Sequence, residues 1–240
     1  TKIIKNKTVA VQISEGCADC CYFCITKLAK GHIFSFPEDQ IIKEIKTRVK
    51  QGVKTIYLTS QDNSAYGLDV SKPKEIQGIS GAPKSKAFPA KSKLVTLLND
   101  ITKIKGDFEV RIGMMNPTPL TAILDELVEV FKNKKIKKFI HIPVQAGSNK
   151  VLKEMNRKYT VEDFKKIINK FRKEIPGIIV STDIIVGYPT ETKADFEETV
   201  KLVKEMKFEV LNLSKFASRP GTIASKMKKL PTQEIKRRSV

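Results

Sequence analysis

Apolar and polar positions follow two periods along this chain, and the periods take turns. Runs of β-branched and alternating residues at 8–14, 55–60, 108–114, 138–144, 178–186 and 210–216 predict strands. Between them, apolar residues recur at helical spacing over 38–51, 91–103, 120–131, 161–172 and 194–206. Ile41, Ile42, Ile45 and Val49 mark the first of these helices; Ile123, Leu124, Leu127, Val128 and Phe131 mark the third. Pro37 suits a helix start, where its missing N–H costs nothing. Gly52 and Gly177 are placed as turn residues before strands, and Pro176 fits a helix stop.

Strand–helix units in series require a parallel sheet. Six of them predict an α/β fold, either a partial (β/α)6 barrel of TIM type or an open doubly wound sheet. In both architectures the chemistry gathers at the C-terminal strand ends. The polar motifs fall there: the segment after the first strand, Ser60-Gln61-Asp62, Asn116-Pro117, Pro143-Val144-Gln145, Gly187-Tyr188-Pro189 and Arg219-Pro220-Gly221. One stretch, 69–90, is rich in Ser, Pro, Gly and Lys and lacks either period, so it is expected to be a mobile surface insertion. Such insertions are tolerated cheaply, which favours a neutral role over a basic arm for RNA.

The first strand runs into the most informative segment of the chain. Cys17, Cys20, Cys21 and Cys24 are its only cysteines. Three thiolates spaced Cys17-x3-Cys21-x2-Cys24 can hold three corners of a [4Fe–4S] cube, leaving the fourth iron open to a small molecule. A zinc site is an alternative, since two CxxC pairs abut, but adjacent Cys20 and Cys21 should diverge rather than share one metal. Disulfides are another, yet a cluster this short is no framework for 240 residues.

Composition adds a partner class. The chain carries 45 Lys+Arg against 26 Asp+Glu, a net +19, which points to a polyanion such as nucleic acid. A solvated, lysine-rich surface is the plain alternative. Basic clusters at 132–138 and 226–238 are candidates for phosphate contact. No apolar run approaches the ~20 residues that span a bilayer. No secretory signal opens the chain either, so a cytoplasmic location and no membrane contact are expected.

Six ordered motifs then resemble the radical S-adenosylmethionine (SAM) methylthiotransferases. They are Gly16-Cys17 through Cys24-Ile25-Thr26-Lys27; Thr59-Ser60-Gln61-Asp62 with Ala65-Tyr66-Gly67; His141-Ile142-Pro143-Val144-Gln145-Ala146-Gly147-Ser148; Met155-Asn156-Arg157-Lys158-Tyr159; Asp183 through Thr192; and Arg219-Pro220-Gly221-Thr222. Ile25-Thr26-Lys27 and Gly113-Met114-Met115-Asn116-Pro117 are similar to the archaeal and eukaryotic branch. That branch acts on N6-threonylcarbamoyladenosine beside the tRNA anticodon. The other branches act on isopentenyladenosine or on a ribosomal protein.

The resemblance implies roles residue by residue. Cys17, Cys21 and Cys24 would hold a [4Fe–4S] cluster, and SAM would chelate its open iron. Ser60 and Gln61 would receive SAM's amino group, Arg157 its carboxylate and Gln145 its ribose, with Phe23 and Val186 flanking the adenine. Cys20 stands where relatives have a small or polar residue. Asp183, in an apolar strand, should be paired, with a ligand or with Arg157. His141 is expected to be a packed, hydrogen-bonded core residue and His32 simply exposed. A 2-methylthio group would be added at the adenine C2, whose C–H has no acidic proton; a radical route meets that need without an acid–base triad. The family's full-length members also carry an N-terminal domain with a second cluster and a C-terminal RNA-binding barrel, so 1–240 is expected to be the central domain alone. tRNA and an electron donor such as a reduced flavodoxin or ferredoxin-like protein are the expected partners, and the chain is expected to be a monomer. Outside this class, a non-catalytic RNA-binding module and a zinc-stabilised structural module stay open on the residues.

Overall fold

The computed structural model describes residues 7–69 and 91–240, together with the backbone of Ile3 and Ile4. The expected insertion therefore lies, from residue 70 onward, outside the described residues. Its strands are β1 (Ile3–Ile4), β2 (Thr8–Gln12), β3 (Ser14–Glu15), β4 (Phe34–Ser35), β5 (Thr55–Thr59), β6 (Glu109–Ile112), β7 (Phe139–His141), β8 (Ile179–Val186) and β9 (Val210–Lys215). Its helices are α1 (Thr26–Lys30), α2 (Glu38–Lys50), α3 (Leu94–Lys103), α4 (Pro117–Thr121), α5 (Leu124–Phe131), α6 (Asn149–Glu154), α7 (Val161–Glu174), α8 (Lys193–Met206) and α9 (Thr232–Arg238). None of the described helices is long and apolar enough to cross a membrane.

Strands β2, β5 and β6 pair in parallel, with Val9 opposite Ile56 and Ile56 opposite Val110. Strands β7, β8 and β9 do the same, with Ile140 opposite Val180 and Ile184 opposite Leu213. A seam joins the two sets. Val110 bridges Ile136, and the Met115 N–H donates to the His141 carbonyl at 2.9 Å. The six expected strands thus form one parallel series, β2-β5-β6-β7-β8-β9. No pairing of β9 with β2 is found among the described residues, so the barrel is open on that side.

Alternation decides which way each side chain faces. Val9, Val11, Ile56, Leu58, Val110, Ile112, Ile140 and Val180 are buried under the helices. The apolar stripes of α2, α3, α5 and α7 close over them through Ile41 and Ile45, Leu97 and Ile101, Leu127 and Phe131, and Phe164 and Phe171. The alternate residues Tyr57, Thr59, Arg111, Phe139, His141 and Asp183 are only partly buried and belong to the opposite, concave face. Capping boxes at Thr160–Asp163 and Thr192–Asp195 fix where α7 and α8 begin. Strand β9 departs from the rule: all six of its residues are exposed, Leu211 and Leu213 among them.

Two expected elements are cut differently. The helix expected over 120–131 is two helices. Asn116 caps a start before Pro117, its Oδ1 accepting the Thr118 N–H at 3.3 Å, and Ile123 leaves helical geometry at φ −122°. The strand expected over 138–144 stops at His141. Beyond it the ladder is broken at Val144, where side chains take over: Tyr159 Oη donates to the Val144 carbonyl at 2.9 Å, and Thr182 Oγ1 accepts the Val144 N–H at 3.1 Å. Gln145 then turns out with φ 71°.

Candidate functional site

The cysteine segment sits where β2 ends. Gly16 turns it with φ 73°, and the Cys17 N–H closes the segment on the Gly31 carbonyl at 3.2 Å. A Cβ on Gly16 would fall 2.1 Å from the His32 carbonyl oxygen, so only glycine permits this approach. Cys17, Cys21 and Cys24 are half-buried; Cys20 is exposed beside Lys27, whose Nζ lies 3.1 Å from its sulfur.

A clasp from the end of β6 and from the connection between α6 and α7 holds the segment. Arg157 Nη1 donates to Cys21 Sγ at 3.0 Å and lies 3.6 Å from the Asp19 carboxylate. Its Nη2 donates to Asn116 Oδ1 at 3.2 Å and its Nε to Tyr159 Oη at 3.0 Å. Asn116 Nδ2 in turn donates to Asp19. Asn156, in the left-handed region at φ 59°, donates from Nδ2 to the Cys20 carbonyl at 2.7 Å. Asp19, Asn116, Asn156 and Tyr159 had no role in the sequence reading. Their only signal was position, inside or beside the quoted motifs.

Burial governs the electrostatics. It pushes the Cys17 thiol up to about 12 and the Cys21 thiol up to about 11, the latter against the pull of Arg157. Asp62, at the end of β5, is buried and accepts N–H bonds from Ser64 at 3.0 Å and Asn116 at 3.1 Å. Burial still raises its carboxyl to about 6.

The structure places Cys17, Cys21 and Cys24 on one segment and brings Arg157 onto Cys21. Ser60 and Gln61 stand at the end of β5, and Ser60 Oγ and Gln61 Oε1 are buried with no hydrogen-bond partner among the described residues. Gln145 ends the β7 segment, its N–H and carbonyl held by Asp183 and Ile185 at 2.8 and 2.9 Å. Val186 is buried at the end of β8, and Phe23 packs against the core. Asp183 is paired, with His141 Nε2 at 2.9 Å and Asn212 Nδ2 at 2.8 Å rather than with Arg157. Burial opposes its charge, but these two hydrogen bonds prevail and hold its carboxyl below its ordinary value. His141 is hydrogen-bonded, as expected, but lies on the concave face rather than in the core, because β7 turns Ile140 under the helices instead. His32 is exposed, as expected.

The basic clusters are partly occupied. Lys132 pairs with Glu129 and Glu174, Lys137 with Glu109, and Arg238 is buried against Glu191.

The donor set suits a [4Fe–4S] cluster, with three soft sulfurs on one segment and N–H donors already aimed at two of them. Those donors are Arg157 on Cys21 and the Thr26 amide on Cys24, at 3.0 and 3.4 Å. Among the described residues, however, no three Cys, His, Asp or Glu side chains converge as a ready-made metal site. The orphaned Ser60 and Gln61 oxygens, in turn, suit the ammonium of a bound ligand.

Comparison with known proteins places the chain. The chain is 39% identical over 235 residues to a probable threonylcarbamoyladenosine tRNA methylthiotransferase of Pyrococcus horikoshii, covering 98% of this chain and 51% of that protein. It is 38% identical over 240 residues to the threonylcarbamoyladenosine tRNA methylthiotransferase of Homo sapiens, covering 99% and 38%. It thus spans about half the length, or less, of these relatives. In fold it is similar to the radical S-adenosylmethionine methyltransferase TsrM of Kitasatospora setae, with a TM-score of 0.66 at 15% identity, over 90% of this chain and 35% of that one. The profile of the radical SAM superfamily matches residues 11–203. That is well over half of the chain, which therefore belongs to the radical SAM superfamily.

Proposed function

We propose that this chain is the catalytic domain of a tRNA methylthiotransferase that converts N6-threonylcarbamoyladenosine, beside the anticodon, to its 2-methylthio derivative. The observation that carries the reading is identity near 40% over almost the whole chain to proteins named for that activity, from an archaeon and from Homo sapiens. The site supports it from its own residues. Cys17, Cys21 and Cys24 hold the [4Fe–4S] cluster. Ser60 and Gln61 offer their orphaned oxygens to the amino group of SAM. Arg157 uses three of its five N–H donors on Cys21, Asn116 and Tyr159 and faces the Asp19 carboxylate at 3.6 Å, so the SAM carboxylate would share its remaining donors with Asp19. Gln145, Phe23 and Val186 surround the nucleoside part of SAM. When bound, cluster and SAM supply the radical chemistry that an unactivated aromatic C–H requires. The protein's share is to fix the cysteine segment through Asp19, Asn116 and Arg157, and to hold the adenine over the open mouth.

A second [4Fe–4S] cluster, on sequence outside residues 1–240, belongs to the proposal as the route of the inserted sulfur. So do tRNA as substrate, a reduced flavodoxin or ferredoxin-like electron donor, a cytoplasmic location and a monomeric state. The test has two arms. Anaerobic reconstitution with iron and sulfide is expected to give a [4Fe–4S] signal in electron paramagnetic resonance that shifts with SAM and disappears in Cys21→Ala. Nucleoside analysis of tRNA from cells lacking the gene is expected to show loss of the 2-methylthio derivative of threonylcarbamoyladenosine. A cluster indifferent to SAM overturns the site, and an unchanged nucleoside profile overturns the substrate.

A further inference from the structure

Among the described residues, Arg111 is a cation without an anion. It lies on β6 between Val110 and Ile112, both buried under the helices, so its side chain belongs to the concave face. The guanidinium sits 3.9 Å from the ring centre of Phe139 and 5.2 Å from that of Tyr57. These contacts hold its plane in place and leave its N–H edges free. Among the described residues it has no hydrogen bond and no carboxylate partner. The acids of the same face are already engaged. Glu109, two residues below, is 2.9 Å from Lys137 Nζ and 3.3 Å from Thr55 Oγ1. Asp183 is held by His141 and Asn212. Around Arg111 is a small cleft of about 110 Å³, lined also by Tyr57, Thr59, Gly113, Phe139 and His141.

A half-buried guanidinium with every neighbouring acid claimed is costly unless something negative arrives. Its fork matches a carboxylate, and the low-dielectric wall of two aromatic rings strengthens that pairing. We propose that Arg111 is a specificity-determining residue, receiving the free carboxylate of the threonylcarbamoyl arm of the substrate, a proposal that rests on the function given above. Adenosine and its hydrocarbon-substituted forms lack any anion on N6 and leave Arg111 unpaired. Position supports the assignment. Arg111 lies two residues, about 7 Å, below Gly113 at the end of β6, and so beneath the mouth where the cysteine segment sits. The arm leaves the ring at C6, separated from C2 by a single nitrogen. Anchoring its far end below the mouth therefore fixes the placement of C2 above it. Arg111 takes no part in the bond changes at C2.

The test compares three anticodon stem-loops binding to the complete, cluster-loaded protein by fluorescence anisotropy. One carries threonylcarbamoyladenosine, one its carboxamide analogue with no negative charge, and one plain adenosine. The wild-type protein is expected to bind the carboxylate form about 10- to 100-fold tighter than the carboxamide. Arg111→Gln should erase that difference, and Arg111→Lys, keeping charge without the fork, should restore part of it. Equal binding of carboxylate and carboxamide, both tighter than adenosine, overturns the role of Arg111 and leaves the substrate reading intact. Equal binding of all three overturns both. The ligand comparison on wild-type protein decides the question even if a variant folds poorly.

Discussion

At the residue scale, Asp62 is a carboxyl kept out of water at the edge of the site. Its partners Ser64 and Asn116 favour its charge, burial disfavours it more, and its carboxyl rises from 3.8 to about 6. The sign follows. Between about pH 4 and 6 the folded chain holds a proton there that the unfolded chain has released. Folding is then linked to proton uptake, and this contribution to stability falls as pH rises through the window. The full shift corresponds to roughly 3 kcal/mol at 1.36 kcal/mol per pH unit, as an upper bound. Asp62→Asn keeps an oxygen for the Ser64 and Asn116 amides and removes the titration. Urea unfolding at pH 4.5 and 7 is expected to show the variant gaining on the wild type by about 2 kcal/mol as pH rises. A gap that does not change with pH would place the linked proton elsewhere. Asn116 connects this carboxyl to the clasp on the cysteine segment, so the same side chain that caps α4 also positions Asp19.

At the element scale, the last helix is tied to the barrel by a buried ion pair. Arg238 and Glu191 have side chains 4% and 1% exposed and lie 2.6 Å apart. Arg238 Nη1 also donates to the Glu191 carbonyl at 3.0 Å, and Glu191 accepts the Gly187 N–H at 2.7 Å. Removing the cation alone leaves a buried carboxylate uncompensated, so Arg238→Ala should cost about 3–5 kcal/mol in denaturant unfolding. Glu191→Gln together with Arg238→Met keeps an acceptor for Gly187 and removes both charges; it should recover at least half of that loss. Recovery of nothing would assign the cost instead to the packing of Arg238 over the Phe196 ring, whose centre is 5.4 Å from the guanidinium. Sequence alone could not find this pair, since Arg238 ends a basic run that reads as a solvated face. The same limit applies across the fold. The long strands and helices were legible because each repeats one period over several turns, as in β8 and α7. Short α6, the break at Ile123 and the outward turn of Gln145 carry no period. Cys17, Cys21 and Cys24 were legible as neighbours in sequence, whereas their clasp joins Asp19 to Asn116 and Cys21 to Arg157 across 97 and 136 residues.

At the scale of the whole molecule, the six-strand series stands independently of the segment that interrupts it between α2–β5 and α3. Both flanks of that segment are fixed without it. Asp69 accepts the Ser35 N–H at 2.9 Å and the Ser35 hydroxyl at 2.6 Å. On the other side, the Lys93 N–H and the Ser92 hydroxyl both donate to the Tyr66 carbonyl, at 2.8 and 3.2 Å. The chain therefore re-enters α3 beside the point where it left. Replacing residues 70–90 by about five Gly and Ser residues should leave the melting temperature unchanged or slightly raised. A shorter closure costs less chain entropy, by on the order of 1 kcal/mol. Iron and sulfide per chain should match the wild type, because Asp19, Asn116, Asn156, Arg157 and Tyr159, which clasp the cysteine segment, are all retained. The excision also removes four lysines and one glutamate from a chain of net +19. If those lysines sit apart from the RNA path, affinity for an anticodon stem-loop at physiological salt should stay within about twofold. That is the expected result. A loss greater than tenfold that shrinks as salt is raised would instead make the segment a phosphate-binding arm, with the +19 charge concentrated in function rather than spread over a solvated surface.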